Sequence, residues 1–359
     1  MTILDEDISL ILNSLTDKEK NFYKNATVLI TGGAGAIGFE LINFFVEYTD
    51  IKRLIVIDNC CLGKPKWITH LEKKKLIEFY CEDICKINIK QIHEIENVTH
   101  IFHMASVASP VFYRKFPLET MDAGVDGCRK LLEYFKNKPI KSFCFFSSSE
   151  IYGFPGERHI PTSEEQCGYV NCIGPRASYD ESKRYSETLC YVFAQKYNIP
   201  CVILRPFNIF GPGLKLNDGR IPADCINAIS NGHNITLYSD GMPTRTFCYI
   251  LDAIVWILKA AAIGRFDVFN IGIEKPEISI KDFAQMCIDV AYETLNYKGS
   301  IVYKKSADPD YLTHNPLRRC PDLSYASKLL NYSPQISTRE GIKRYIDFIN
   351  RSERDELIW

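Results

Sequence analysis

The chain has 359 residues, with 43 basic and 44 acidic side chains and a formal net charge of −1. That length fits two domains or one large α/β unit, and 46 % hydrophobic with 24 % charged residues excludes a disordered or fibrous chain. The balanced charge excludes a surface built to neutralise nucleic-acid phosphates, and apolar runs of roughly ten residues are too short to span a bilayer.

Residues 6–24 place apolar positions at helical spacing and predict a short leading helix, so residues 1–25 read as an N-terminal helical extension with no signal peptide. Strands are expected at Val28–Ile30, Arg53–Ile57, Leu76–Tyr80, His100–His103, Lys141–Ser147 and Cys201–Arg205. Crossover helices are expected at Gly38–Tyr48, Asp122–Lys136 and Ser178–Tyr197. This alternation predicts a parallel sheet wound with helices on both faces. Residues 208–219 and 306–322 read as long loops of the kind that serve function. The 14 cysteines include no Cys-x-x-Cys pair, and no second Cys/His pair accompanies Cys81 and Cys85. No metal site is therefore expected, and the thiols read as reduced groups of a cytoplasmic protein.

After the first strand, Gly32, Gly35 and Gly38 form a G-x-x-G-x-x-G loop that opens a helix. Such a loop gives a tight turn, close backbone approach to a pyrophosphate, and a helix N-terminus whose free N–H groups, here near Ala36 and Ile37, face negative charge. Asp58 ends the second strand, followed by Asn59, where a carboxylate can take the ribose hydroxyls of a dinucleotide. An acid there favours NAD over NADP, because a 2′-phosphate would be repelled. Asp83 and Ile84 follow the third strand and are placed for the adenine, and Met104, Ala105 and Ser106 follow the fourth. The expected fold class is α/β: a Rossmann-type doubly wound parallel sheet with a smaller, interwoven C-terminal α/β substrate domain. Its boundaries are 26–206 for the NAD-binding domain, with returning segments near 246–272, and 207–359 for most of the substrate domain.

Tyr179 and Lys183 stand four residues apart, on one face of a predicted helix. An ammonium beside a phenol lowers the phenol's pKa and makes it an accessible base. About one strand and loop earlier come Ser147, Ser148, Ser149 and Glu150. Hydroxyls at that strand end can hydrogen-bond a sugar hydroxyl at the reacting carbon. Nothing in the sequence supports a nucleophilic triad.

These residues carry a resemblance. The run from Val170 to Arg184, with Gly174-Pro175-Arg176-Ala177-Ser178-Tyr179, resembles the extended short-chain dehydrogenase/reductases that act on nucleotide sugars, and UDP-glucuronate decarboxylases most closely. Phe207–Pro212, Leu216–Arg220, Pro243–Phe247 and His103–Pro110 extend the similarity. The resemblance implies that Tyr179 takes the proton of the sugar 4-hydroxyl while hydride passes from C4 to NAD, with Ser148 or Ser149 holding that hydroxyl. The resulting β-keto acid loses CO2. By position Glu150 and Arg245 would serve decarboxylation and reprotonation, and Ser109, Tyr113, Asn208, Arg220, Arg245 and Arg318 would contact the substrate. Arg319 stands beside Arg318 as a second arginine for the nucleotide side, and Arg176 equally suits a structural salt bridge. A homodimer through helices around 118–136 and 178–197 is implied as well.

Sugar 4,6-dehydratases carry Asp-Glu where this chain has Ser149-Glu150, so the acid that expels water is missing. Dehydratase and 4-epimerase chemistry remain the alternatives, with a non-catalytic NAD-binding regulator as a remote third. The chain also departs from the family pattern at Gly213, at Ala123-Gly124-Val125, at Phe39-Glu40 and at Phe154–Arg158. The first two of these bear on which sugar is bound.

Overall fold

The computed structural model describes residues 2–48 and 50–351, so Met1 of the expected extension and 352–359 of the expected second domain lie outside the described residues. The chain opens with two helices, α1 (Ile3–Ser14) and α2 (Asp17–Tyr23), where one was expected. Thr16 and Glu19 account for the break. The Thr16 hydroxyl accepts the Glu19 N–H at 3.3 Å while the Glu19 carboxylate accepts the Thr16 N–H at 2.7 Å. This reciprocal cap starts a new helix.

The chain then alternates through β1 (Thr27–Thr31), α3 (Ala36–Glu47), β2 (Arg53–Ile57), α4 (Lys66–Lys73), β3 (Glu78–Tyr80), β4 (His100–His103), α5 (Pro110–Lys115), α6 (Pro117–Asp122), α7 (Cys128–Phe135), β5 (Ser142–Phe146), α8 (Ala177–Tyr197) and β6 (Cys201–Pro206). The helix expected over Asp122–Lys136 is interrupted by a π-turn at Ala123–Gly127. There Ser186 of α8 donates to the Gly124 carbonyl at 2.6 Å, and a Cβ on Gly124 would lie 3.2 Å from the Ser182 hydroxyl. The remaining elements are β7 (Ile209–Phe210), α9 (Ile221–Ser230), β8 (Ile235–Leu237), β9 (Thr244–Thr246), β10 (Cys248–Tyr249), α10 (Ile250–Ala261), β11 (Asp267–Ile271), β12 (Glu277–Ser279), α11 (Ile280–Leu295), β13 (Ile301–Tyr303), β14 (Arg318–Arg319), α12 (Ser324–Leu330) and α13 (Thr338–Asn350).

Seven parallel strands make the central sheet, in the order β11-β6-β5-β4-β1-β2-β3. Their side chains alternate between two apolar layers, as a two-residue period requires. Val28, Ile30, Val56, Phe102, Cys144 and Leu204 join the layer that includes residues of α1, α3, α10 and α13. Leu29, Ile55, Ile101, Phe143 and Ile203 join the layer covered by α7 and α8. Burial on both faces explains the near-continuous apolar strands. Strand β11 pairs with β6 only after the chain has left for the smaller sheets, β12-β9-β14 among them. No helix among the described residues is long and apolar enough to cross a membrane.

The leading helices belong to the core. Tyr23 donates its hydroxyl to the Leu258 carbonyl at 2.5 Å. Asp7, fully buried, accepts from the Tyr249 hydroxyl at 2.6 Å and from Arg344 at 2.5 and 2.9 Å. Breaking a buried ion pair on one side leaves an uncompensated charge, so Arg344→Met is expected to cost about 3–5 kcal/mol in urea unfolding. The double variant Asp7→Asn/Arg344→Met, which removes both charges, should recover a large part of that loss.

Candidate active site

Strand order reverses between β1 and β4, and beyond their carboxyl ends opens a cavity of about 630 Å³. Open parallel sheets take their ligands at this switch point. Thr31 and His103 close the two strands against each other, with the hydroxyl 2.6 Å from Nδ1. Burial lowers the His103 pKa to about 3, so this histidine is neutral and structural.

One half of the cavity is lined by Gly32, Gly35, Ala36, Ile37, Gly38, Asp58, Asn59, Asp83, Ile84, Met104, Ala105 and Ser106, the whole set expected for the cofactor. Gly32 has φ +73°, and a Cβ there would sit 2.5 Å from the Ala105 nitrogen. Only glycine fits that approach. At Gly35 the nearest atom to a built Cβ is 3.6 Å away, which leaves the loop open toward the cavity. Asp58 accepts the N–H groups of Ala34 at 2.9 Å and Cys60 at 2.8 Å. Each oxygen keeps acceptor capacity for a ribose diol. Open glycine loop, free helix N-terminus and anchored carboxylate together fit a dinucleotide. Two departures from the family pattern compensate each other here: a Cβ on Gly213 would meet that of Phe39 at 2.5 Å. The Phe39 ring fills the space and packs edge-on against Trp67 at 5.2 Å.

The reacting centre lies where β5 ends and α8 begins. Tyr179 and Lys183 are buried one helical turn apart, and Lys183 donates to the Phe146 carbonyl at 2.7 Å. Burial lowers Lys183 to about 8. Tyr179 departs from the simple expectation: burial raises it to about 12, opposed by a hydrogen bond with Ser148. In the protein alone, desolvation of the phenolate, with the charges of Glu150 and Asp180, outweighs the Ser148 hydrogen bond and the charge of Arg220. Ser148 also accepts the Glu150 N–H at 3.2 Å. Behind it Ser147 donates to Glu187 at 2.5 Å, and Arg205 holds Glu187 through two bonds of 2.6 and 2.9 Å. Arg205 also donates to the Tyr152 hydroxyl at 2.9 Å, and that hydroxyl donates to Asn270 at 2.8 Å. This network ties the ends of β5, β6 and β11 together under the serines.

Glu150 is gripped by Arg176 and by Arg319, the latter at 2.9 Å. The two guanidiniums and the charge of Arg245 hold its pKa down to about 2 against the cost of burial, so it is a carboxylate. Ser149 accepts from Arg319 at 3.1 Å. Arg245 is itself lowered to about 9, by burial first and by Arg319 second. Burial and the charge of Glu150 raise Asp180, 3.8 Å from Arg176, to about 7.

Arg318 does not reach this centre: it pairs with Glu277 at 2.8 Å and does not line the cavity. The reason is strand register. β14 pairs with β9 so that Arg319 stands opposite Arg245, and Arg318 opposite Thr244. Alternation turns Arg319 toward Glu150 and Ser149, which line the cavity, while Arg319 stands behind them and does not line it itself. Of the other expected substrate contacts, all line the cavity. Tyr113 stacks on Tyr179 with ring centroids 5.1 Å apart and its hydroxyl without a partner. Asn208 presents a buried Nδ2 without a partner, Arg220 pairs with Asp218, and Ser109 donates to the Asp218 carbonyl at 2.7 Å. Arg176 and Arg319, which a lone sequence gives no reason to prefer over surface arginines, complete the centre.

Residues 28–272 match the model of the NAD dependent epimerase/dehydratase family. UDP-glucuronic acid decarboxylase 1 of Arabidopsis thaliana is 32 % identical over 332 residues, covering 91 % of this chain and 71 % of its own length. The protein of the same name from Xenopus tropicalis is 32 % identical over 324 residues, covering 90 % of this chain and 72 % of its own length. Among solved structures, the Bacillus cereus UDP-glucuronic acid 4-epimerase bound to UDP-glucuronic acid and NAD superposes with a TM-score of 0.75 at 25 % identity, over 90 % of this chain and 99 % of that one. A cavity whose one half fits a dinucleotide, on this sheet, agrees with the family's NAD dependence, and the chain belongs to the NAD dependent epimerase/dehydratase family.

Proposed function

We propose that the chain decarboxylates a nucleotide hexuronate, UDP-glucuronate first, giving UDP-xylose or its 4-keto pentose. One observation carries the reading: three arginines, Arg176, Arg245 and Arg319, share a buried corner with Glu150, an ionised carboxylate, and with Asp180, raised to about 7, while Glu277, whose charge also reaches Arg245, is paired with Arg318. Arg319 keeps one nitrogen without a partner among the described residues. Such an excess of positive charge is costly in a desolvated site unless an anion joins it, and a sugar carboxylate is that anion. The names of the Arabidopsis and Xenopus relatives support the reading.

In this reading Tyr179, with Lys183 beside it, accepts the proton of the 4-hydroxyl, and Ser148 orients that hydroxyl. The glycine loop and Asp58 would hold NAD, which when bound would supply the hydride acceptor and donor for C4. Once C4 is a ketone, the bond from C5 to the carboxyl group breaks, CO2 leaves, and its electron pair becomes an enolate at the C4 oxygen. Tyr179, now protonated, and Ser148 donate to that oxygen as its charge grows, the arrangement that stabilises such states most. Arg245 holds the carboxylate until it leaves. The enolate then takes a proton at C5, which water entering the space left by CO2 would supply, and Tyr179 returns its proton to the C4 oxygen when C4 is reduced. Glu150, a carboxylate pinned by two arginines, carries no proton to give and keeps those arginines aimed.

Residues 26–206 with 246–272 then hold the cofactor and most of 207–359 the sugar nucleotide. The exposed Leu118 and Met121 of α6 and Tyr185, Tyr191 and Val192 of α8 suit the seam of a homodimer. All 14 cysteines are free thiols, which suits a cytoplasmic enzyme. A second reading, 4-epimerisation of the same hexuronate, is favoured by the fact that the arginine corner would hold its carboxylate equally well.

Mass spectrometry of the products separates the readings. UDP-glucuronate is expected to lose CO2, whereas unchanged mass with an altered sugar would give the reaction to epimerisation and loss of water from a neutral sugar nucleotide to dehydration. Tyr179→Phe should keep NAD binding and lower kcat by about 10²–10⁴-fold; full turnover in that variant rules out the assigned base. Arg245→Ala should raise KM for UDP-glucuronate far more than it weakens UDP, since only the former carries the anion this residue holds.

A further inference from the structure

Beyond Arg220 the cavity continues to an end lined by Asp224, Thr236, Leu237, Tyr238, Ser239 and Tyr311, none of which the reaction above uses. Tyr238 and Tyr311 meet edge to face, with ring centroids 5.9 Å apart. Asp224 sits in the first turn of α9, half-buried. Unlike its neighbour Asp218, which holds Arg220, it has no hydrogen-bond or ion-pair partner for its side chain among the described residues. Burial and the charge of Asp218 raise it to about 6, so at neutral pH it is an ionised carboxylate facing a partly desolvated space. Its charge reaches the hydroxyl of the half-buried Tyr311, where Arg114 opposes it.

Charge is thus sorted along the cavity, with the arginine corner at the sugar end and an unpaired acid at the other. A diphosphate is repelled by a lone carboxylate, whereas neutral donors are attracted to it, and charge-assisted hydrogen bonds are the stronger kind. Two aromatic rings beside it suit a flat heterocycle. We propose that Asp224, with Tyr238 and Tyr311, is the specificity-determining acceptor for the nucleoside of the substrate. It would take a hydrogen bond from a ring N–H of the base or from a ribose hydroxyl. This rests on the nucleotide-sugar reading above and adds to it the residue that selects the nucleoside.

The test is calorimetric titration of the NAD-loaded protein with UDP, 2′-deoxy-UDP and CDP, in the wild type, Asp224→Ala and Asp224→Asn. Losing a charge-assisted bond should weaken UDP about tenfold in Asp224→Ala, with NAD affinity unchanged. Asn, which keeps an acceptor oxygen, should recover part of the loss. The preference of the wild type for UDP over one analogue should shrink in Asp224→Ala; the deoxy ratio changing assigns the bond to the ribose, the CDP ratio to the base. UDP bound equally well or better by Asp224→Ala, or bound more weakly with both ratios unchanged, overturns the assignment and leaves the nucleotide-sugar reading standing. Failure of the wild type to bind any of the three diphosphates overturns both.

Discussion

The ion pairing of Glu150 with Arg176 and Arg319 sets the shape of the reacting end of the cavity. The carboxylate follows β5, Arg176 precedes α8, and Arg319 comes from β14, far along the chain. A buried carboxylate is costly alone, so its presence requires all three segments to meet. The serines, Tyr179 and the small sheet carrying Arg245 are placed by the same encounter, because Ser149 shares Arg319 and β14 lies in register beside β9. One corner thereby joins the half of the molecule that fits a dinucleotide to the small β12-β9-β14 sheet.

The two halves use opposite electrostatics. The glycine loop and α3 offer backbone N–H groups, with acids such as Asp58 and Asp83 lining the space beside them; the Asp58 oxygens accept from Ala34 of the glycine loop and from Cys60 and keep further acceptor capacity. The sugar end is dense in guanidinium groups whose own charges repel one another, as the lowered pKa of Arg245 records. Tyr179 stands between them with its hydroxyl pushed up to about 12 by burial. Deprotonation there is unfavourable in a buried site without added positive charge.

The strands that are buried on both faces were readable from sequence, because apolar continuity and length suffice to mark them; β2 and β4 fall where expected to the residue. The loop glycines, Asp58 and the Tyr179–Lys183 pair were readable for a different reason: their chemistry depends on local spacing along one turn or one helix. What stayed hidden depends on distant pairing. Arg318 and Arg319 are neighbours with the same side chain, and only the register of a two-residue strand against β9 decides which one turns inward. Asp224 looks like an ordinary first-turn helix acid until the cavity beyond it is seen. The split of the leading helix was legible in Thr16 and Glu19, whose capping pattern outweighs the apolar periodicity running past it.

Asp7 has a consequence for how the chain is made. Tyr249 and Arg344, which satisfy it, follow it by 242 and 337 residues along the chain. Until they have been made, the leading helix has neither the partner for its acid nor α10 and α13 to cover its apolar face. Although α1 precedes all of these elements, its packing is therefore completed among the last, once α13 has been made.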